Sequence, residues 1–258
     1  FFSTLFIIFL FSLINIRLLD AFSLAFTTIS SGGFVPSSDL TNIIVNNLQI
    51  FVLSLSLLLP IFNFFLLHDI ITGQFSFRNH QEDFHLAILI ILLTLFFYFF
   101  VIPNTEFAKL FFAITSSIST SGITTYSSNF DLTLFFLLLP IVGGSLISTS
   151  SGFKYTRIYI LLKISYNEIY KLVKPINIVD KNLFNSDTKI QDQDVKIAFL
   201  VFLSFIISIF ILSSILAFDY LTFENSFKLS ILTLTNTVNS AIYGTSNLNF
   251  FDLNNLSK

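Results

Sequence analysis

Three short stretches carry residue types that can replace the water around a bare cation. They are Thr28-Ile29-Ser30-Ser31-Gly32, Ser117-Ile118-Ser119-Thr120-Ser121-Gly122 and Thr235-Asn236-Thr237-Val238-Asn239. Their side chains are small and uncharged, so the ligands on offer are backbone carbonyl oxygens. Glycine admits the positive φ that turns successive carbonyls toward one axis. Non-helical backbone at membrane depth is tolerated only where protein buries it or water lines it. The chemistry this pattern suits is cation coordination. Its candidate filter residues are Ser30, Ser31, Gly32, Thr120, Ser121, Gly122, Thr237, Val238 and Asn239.

Such loops need elements to hold them. Each follows an apolar segment too short to cross a bilayer: 21–29, 107–118 and 223–234. The middle one, as a helix, rises about 18 Å, roughly half of a hydrocarbon core of about 30 Å. Its C-terminal partial negative charge, about half an electron, then faces the loop. Longer apolar runs at 43–67, 86–102, 132–147 and 197–218 read as full spans. The order span, half-span, small polar loop, span recurs along the chain. A linker turn has no reason to repeat in that context.

The run 132–147 is interrupted by Gly143-Gly144 and followed by Ser148-Thr149-Ser150-Ser151-Gly152. Each glycine costs about 1 kcal/mol of helix stability relative to alanine, and serine about half that. A break is therefore expected, facing the water-filled path directly below the middle loop. Gly143, Gly144, Ser148, Thr149 and Gly152 are the candidate gate. Lys154, Arg157 and Lys163 follow on one basic segment and are candidate docking residues for a cytosolic partner. Beyond them, Pro175 and the Asn/Asp content argue for turns rather than one long helix.

Composition bounds the rest. The chain is 54% hydrophobic and 11% charged, which places it among polytopic α-helical membrane proteins. It has no cysteine, which removes disulfides, thiolate metal sites and a cysteine nucleophile. No Gly-x-Ser-x-Gly elbow exists, and no histidine or acid sits at the depth of the loop hydroxyls, so an enzyme is not expected. His68, His80, Glu82, Asp83 and His85 match no standard metal spacing and read as a solvated interfacial loop. The net charge of -2 points to no nucleic acid. Lysine and arginine concentrate in the 68–85 and 154–196 loops, which places those loops in the cytoplasm and the filter-like loops on the outer side. The chain opens inside an apolar run without a methionine and reads as a piece of a longer protein.

With these residues in view, the sequence resembles the Trk/Ktr/HKT potassium transporter superfamily, most closely its TrkH-type bacterial subunits. Thr28 to Phe34 resembles the second filter repeat and Ser119-Thr120-Ser121-Gly122-Ile123-Thr124-Thr125 the third. The stretch from Ile141 through Gly143-Gly144 to Lys154-Tyr155-Thr156-Arg157 resembles the glycine-rich break and the basic helix after it. Ile123 stands where the family has an aromatic, and Ser150-Ser151 replaces glycines. The fourth filter strand has no glycine, so Gly32 and Gly122 align with Asn239, or with Val238 or Ala241. The resemblance implies an all-α membrane protein of span–pore-loop–span units around a central ion pore. It divides the chain into a second repeat (1–67), a cytoplasmic loop (68–85), a third repeat (86–165), a basic loop (166–196) and a fourth repeat (197–258). It further implies potassium uptake across the bacterial inner membrane without a cofactor, a homodimer, and a nucleotide-binding regulatory subunit of the TrkA kind. A broken-helix secondary transporter for sodium or a small solute is the other reading, for which no ionisable residue at mid-membrane is found.

Overall fold

The computed structural model describes residues 2–37, 40–103, 105–124, 132–174, 182–184, 188–218 and 221–237. Among them the regular structure is helical, with a single isolated β-bridge between Asn182 and Lys189. The first helices, α1 (Phe2–Leu13) and α2 (Leu18–Ser30), pack together across a turn at Asn15. Helix α3 (Asn47–Ser56) is tied to that turn by a buried glutamine. Gln49 accepts from the Asn46 N–H at its own helix start and donates to the Ile14 carbonyl at 3.0 Å.

The run expected to be one span over 43–67 is broken. Helix α3 stops at Ser56, irregular turns follow, and α4 (Phe64–Ile71) resumes under an Asn63 cap. Pro60 lies in the gap, where its missing N–H breaks the helical ladder and leaves carbonyls free for other donors.

Helix α5 (Gln81–Phe96) continues into a π-helical turn over Phe97–Val101. Helix α6 (Phe107–Ile118) is the hub, with every residue from Leu110 to Ile118 buried. Its Phe112 packs with the core of α1, α2 and α3, while Phe111, Ile114 and Ile118 pack with α5, α7 (Thr133–Val142), α9 (Asp192–Ala217) and α10 (Phe223–Leu234). Two of these elements, Gln81–Val101 and Asp192–Ala217, are long and apolar enough to cross a membrane.

Helix α8 (Tyr155–Val173) is the basic helix that the resemblance implies after the break. It runs farther than the turns expected beyond Lys163 allow, and residues 175–181 lie outside the described residues. Its 19 residues include no glycine or proline, and Pro175 comes only after its end.

The 68–85 loop is not solvated throughout. His80 and Asp83 are 5% and 4% exposed, and the His80 ring lies 3.0 Å from Asp69 and 3.2 Å from Asp83. Asp83 also accepts from the Asn63 N–H at 2.7 Å, so this arc fastens α4 to the start of α5. Hydrogen bonds from His68 and His80 hold the Asp69 carboxyl below its ordinary pKa.

Candidate ion path and gate

Helices α2, α6 and α10 end in the same way. The N–H of Gly32 reaches back to the Thr27 carbonyl at 3.1 Å, that of Ser121 to Ser116 at 3.2 Å and that of Thr237 to Leu232 at 2.9 Å. The residue before each donor lies in the left-handed region: Ser31 at φ 52, Thr120 at φ 57 and Asn236 at φ 57. This is a Schellman-type ending, with a five-residue backward bond and a left-handed residue just outside the helix. It is normally made with glycine. A β-branched threonine there carries strain that its surroundings must hold.

This ending fixes the register and corrects the sequence alignment. Gly32, Ser121 and Thr237 are equivalent, so Gly122 pairs with Gly33 rather than Gly32. The positive φ falls on Gly33 (71) and Gly122 (63), while Gly32 has none. By the same register the glycine position of the third ending falls by count on Val238 instead of Asn239. Val238 and Asn239 both lie outside the described residues.

The three chain segments touch in sequence. A Cβ on Gly33 would meet the Ser121 carbonyl oxygen at 2.3 Å, and one on Gly122 would meet the Thr237 backbone at 3.0 Å. The Asn236 amide donates to the Ser31 carbonyl at 3.1 Å. Three helix C-termini therefore meet, each with a partial negative charge of about half an electron, and their fields add at the junction. Such a junction attracts a cation. Ser31, Thr120, Ser121 and Thr237 are brought together there, each 2% exposed or less, whereas Ser30 is exposed at the edge.

The segment between α7 and α8 lies against these endings. Gly143 ends α7 at φ 66, and Gly152 at φ 88 packs so tightly on α7 that a Cβ would meet the Pro140 carbonyl at 2.3 Å. The Thr149 hydroxyl donates to the Ile29 carbonyl at the end of α2, at 2.8 Å. The Ser151 N–H donates to the Thr120 hydroxyl after α6, also at 2.8 Å. The loop is thus tied to two of the three endings.

Its own backbone is satisfied by elements the sequence did not point to. The break after α3 receives the N–H of Ser145 on Ile61 and that of Ser150 on Pro60, and Phe64 donates in return to Ile147. Gly144 packs against that break, where a Cβ would lie 2.4 Å from the Ile61 carbonyl oxygen. Glu82, from the first turn of α5, accepts from the Leu146 N–H at 2.8 Å. Ser148 bridges to the Ser145 carbonyl at 2.7 Å and to the Ser150 hydroxyl at 2.9 Å. Only long-range pairing reveals these partners, so local patterns gave no signal for them.

The three basic residues expected to face a partner are used within the chain. Lys154, itself at φ 79, folds its ammonium back onto the Ser148 carbonyl and hydroxyl, each at 3.0 Å, and onto the Ser150 carbonyl. Arg157 bonds the Phe153 carbonyl at 3.4 Å, and Lys163 bonds the Asn182 carbonyl. Lys154 therefore belongs to the loop rather than to a surface. No group of metal-ligating side chains occurs among the described residues.

No protein-family model and no curated protein matches the sequence. Among solved structures, the crystal structure of the potassium transporter TrkH from Vibrio parahaemolyticus superposes with a TM-score of 0.79 over 91% of this chain, at 22% identity. The chain spans about half the length of that transporter, covering 53% of it. The described helices are thus arranged in the all-helical membrane fold of TrkH.

Proposed function

We propose that this chain forms part of a potassium-conducting path through a bacterial inner membrane, acting as a channel-like uptake subunit. The meeting of three helix C-termini at carbonyl-bearing turns carries the reading. Their added partial charges favour a monovalent cation, and the turns supply oxygen ligands for it. The likeness to a potassium transporter supports potassium as the transported ion. The filter comprises the Ser30–Gly33 turn, the Thr120–Gly122 turn and the turn from Asn236 through Thr237 into Val238 and Asn239. No cofactor takes part, and potassium is substrate rather than resident metal.

In this reading the loop of Gly143, Gly144, Ser148, Thr149 and Gly152 is the gate. Its bonds to the α2 and α6 endings close the path from below, and motion of α8 releases them. A nucleotide-binding regulatory subunit acts on α8 near Arg157 and Lys163, and the assembly is a homodimer. Charge reversal at Arg157 and Lys163 then weakens co-purification of that subunit while insertion stays intact.

The test is growth. The intact gene product is expressed in a bacterium lacking its own potassium uptake, at low external potassium. Rescue with rubidium or potassium accumulation is the expected result, and absence of both with normal membrane insertion overturns the reading.

A further inference from the structure

The ending of α6 differs from the others in what stands behind it. Ser116, 2% exposed, donates its hydroxyl to the Ile123 carbonyl, beyond the Ser121–Gly122 turn. A serine has one proton to give, so at the 3.1 Å contact between the Ser116 and Ser121 hydroxyls the donor is Ser121. The Ser119 hydroxyl lies 3.0 Å from the Ser116 carbonyl and 3.1 Å from the Ser121 hydroxyl, so its one proton is shared between them. The proton order is Ser121 to Ser116 to the Ile123 carbonyl, with Ser119 at its edge. Such a chain strengthens cooperatively in a buried setting.

We propose that Ser116 is a selectivity-determining positioning residue, the end of a hydroxyl brace that sets the place of the middle filter strand. The proposal rests on the filter reading above. The brace holds the Ile123 carbonyl back against α6, and with it the Thr120–Gly122 turn that supplies the coordinating carbonyls in the filter reading. The strand it holds is also the one that touches both neighbours, Gly33 through the Ser121 carbonyl and Thr237 through Gly122. A shift of this strand changes both gaps, and the number and spacing of coordinating carbonyls sets discrimination between potassium and sodium. Neither equivalent position has the brace. Thr27 has a hydroxyl with no partner among the described residues, and Leu232 has no hydroxyl.

The experiment is the ratio of potassium to sodium uptake by the intact gene product in potassium-uptake-deficient cells, normalised to protein in the membrane. Ser116→Ala is expected to lower that ratio about tenfold, because it leaves the buried Ile123 carbonyl and Ser121 hydroxyl without this partner, which costs more than one ordinary hydrogen bond. Ser116→Thr is expected to keep it, since it retains the hydroxyl and the α2 ending already carries threonine at this position. Ser119→Ala, whose proton is shared with the Ser116 carbonyl, is expected to lower it less than Ser116→Ala. If Ser116→Ala lowers protein level or thermal midpoint but leaves the ratio at the wild-type value, the residue is only structural and the brace is refuted, with the filter reading intact. A wild-type protein that accumulates no potassium takes down both.

Discussion

The endings of α2 and α6 share a backbone and differ in everything attached to it. Both close with the same backward bond, both place a non-glycine residue in the left-handed region, and both follow it two residues later with a glycine of positive φ. After α6, Ser119, Thr120 and Ser121 are 1% exposed or less, and each hydroxyl has a partner. After α2, the hydroxyls of Thr27 and Ser31 are buried without a partner among the described residues, while Ser30 and Phe34 are exposed. Ser23, Thr27, Ser30 and Phe34 border one open cleft. The geometry of a filter turn is thus a property of the helix end, and its rigidity is a property of the side chains behind it. One turn is braced from within the chain. The other leaves two buried hydroxyls without a partner among the described residues, beside an open cleft.

The sharpest way to break this comparison is to exchange which glycine matters. Gly33→Ala places a methyl 2.3 Å from the Ser121 carbonyl oxygen at φ 71, so the two strands must separate. The left-handed conformation alone costs about 1–2 kcal/mol for a residue with a Cβ, before any clash. Potassium uptake per molecule is expected to fall by about 100-fold or more. Gly32→Ala meets the Ser30 hydroxyl at 3.0 Å and otherwise only ordinary contacts with Phe34 and Thr27 side chains, at a φ that is not left-handed. It is expected to retain most uptake. Equal damage from both, measured as rubidium influx, would restore the Gly32 alignment and undo the register argued from the helix ends.

That register shows where sequence reading reaches its limit. The short helices, the all-helical class and the break at Gly143-Gly144 were legible because each depends on local length and composition. The exact strand alignment was not. In sequence glycine is the marker of positive φ, yet Ser31, Thr120 and Asn236 carry it at the helix ends, where the backward bond imposes it. The break at Pro60 was hidden because the residues around it are as apolar as a continuous span. Its purpose appears only across the fold, where the Pro60 and Ile61 carbonyls receive the loop's N–H groups. His80 and Asp83 read as solvated in sequence because nothing local says that Asp69 and the Asn63 N–H partner them across the fold.

A second, smaller effect sharpens the comparison at the gate. The loop is fastened to the α2 ending by the Thr149 hydroxyl and to the α6 ending by the Thr120 hydroxyl. Thr149→Val and Thr120→Val each remove one hydrogen bond of about 1 kcal/mol while preserving shape, which biases the closed loop by roughly fivefold. Each is expected to raise basal uptake by about that factor, Thr149→Val without changing the potassium-to-sodium ratio, because only Thr120 belongs to the filter. The pair is expected to multiply if the two bonds act on one loop moving as a unit. Uptake unchanged in both variants would mean that the loop does not obstruct the path.

The smallest expected effect tests the unbraced side directly. Thr27→Val replaces a buried, partnerless hydroxyl by a methyl of the same shape, in a helix where both residues are β-branched and differ little in propensity. Burying an unpaired hydroxyl costs about 1–3 kcal/mol, so its removal is neutral or stabilising by up to about 1 kcal/mol. The thermal midpoint in detergent is then unchanged or raised by about 2–4 °C. Thr28→Val, one residue on, is the matched control. Thr28 is equally buried but its hydroxyl donates to the Ala25 carbonyl at 2.9 Å, and its loss leaves the helix one local bond poorer. A lower midpoint for Thr27→Val than for Thr28→Val would show that the Thr27 hydroxyl has a strong partner. The α2 turn would then be braced as firmly as the α6 turn, and the asymmetry between them would disappear.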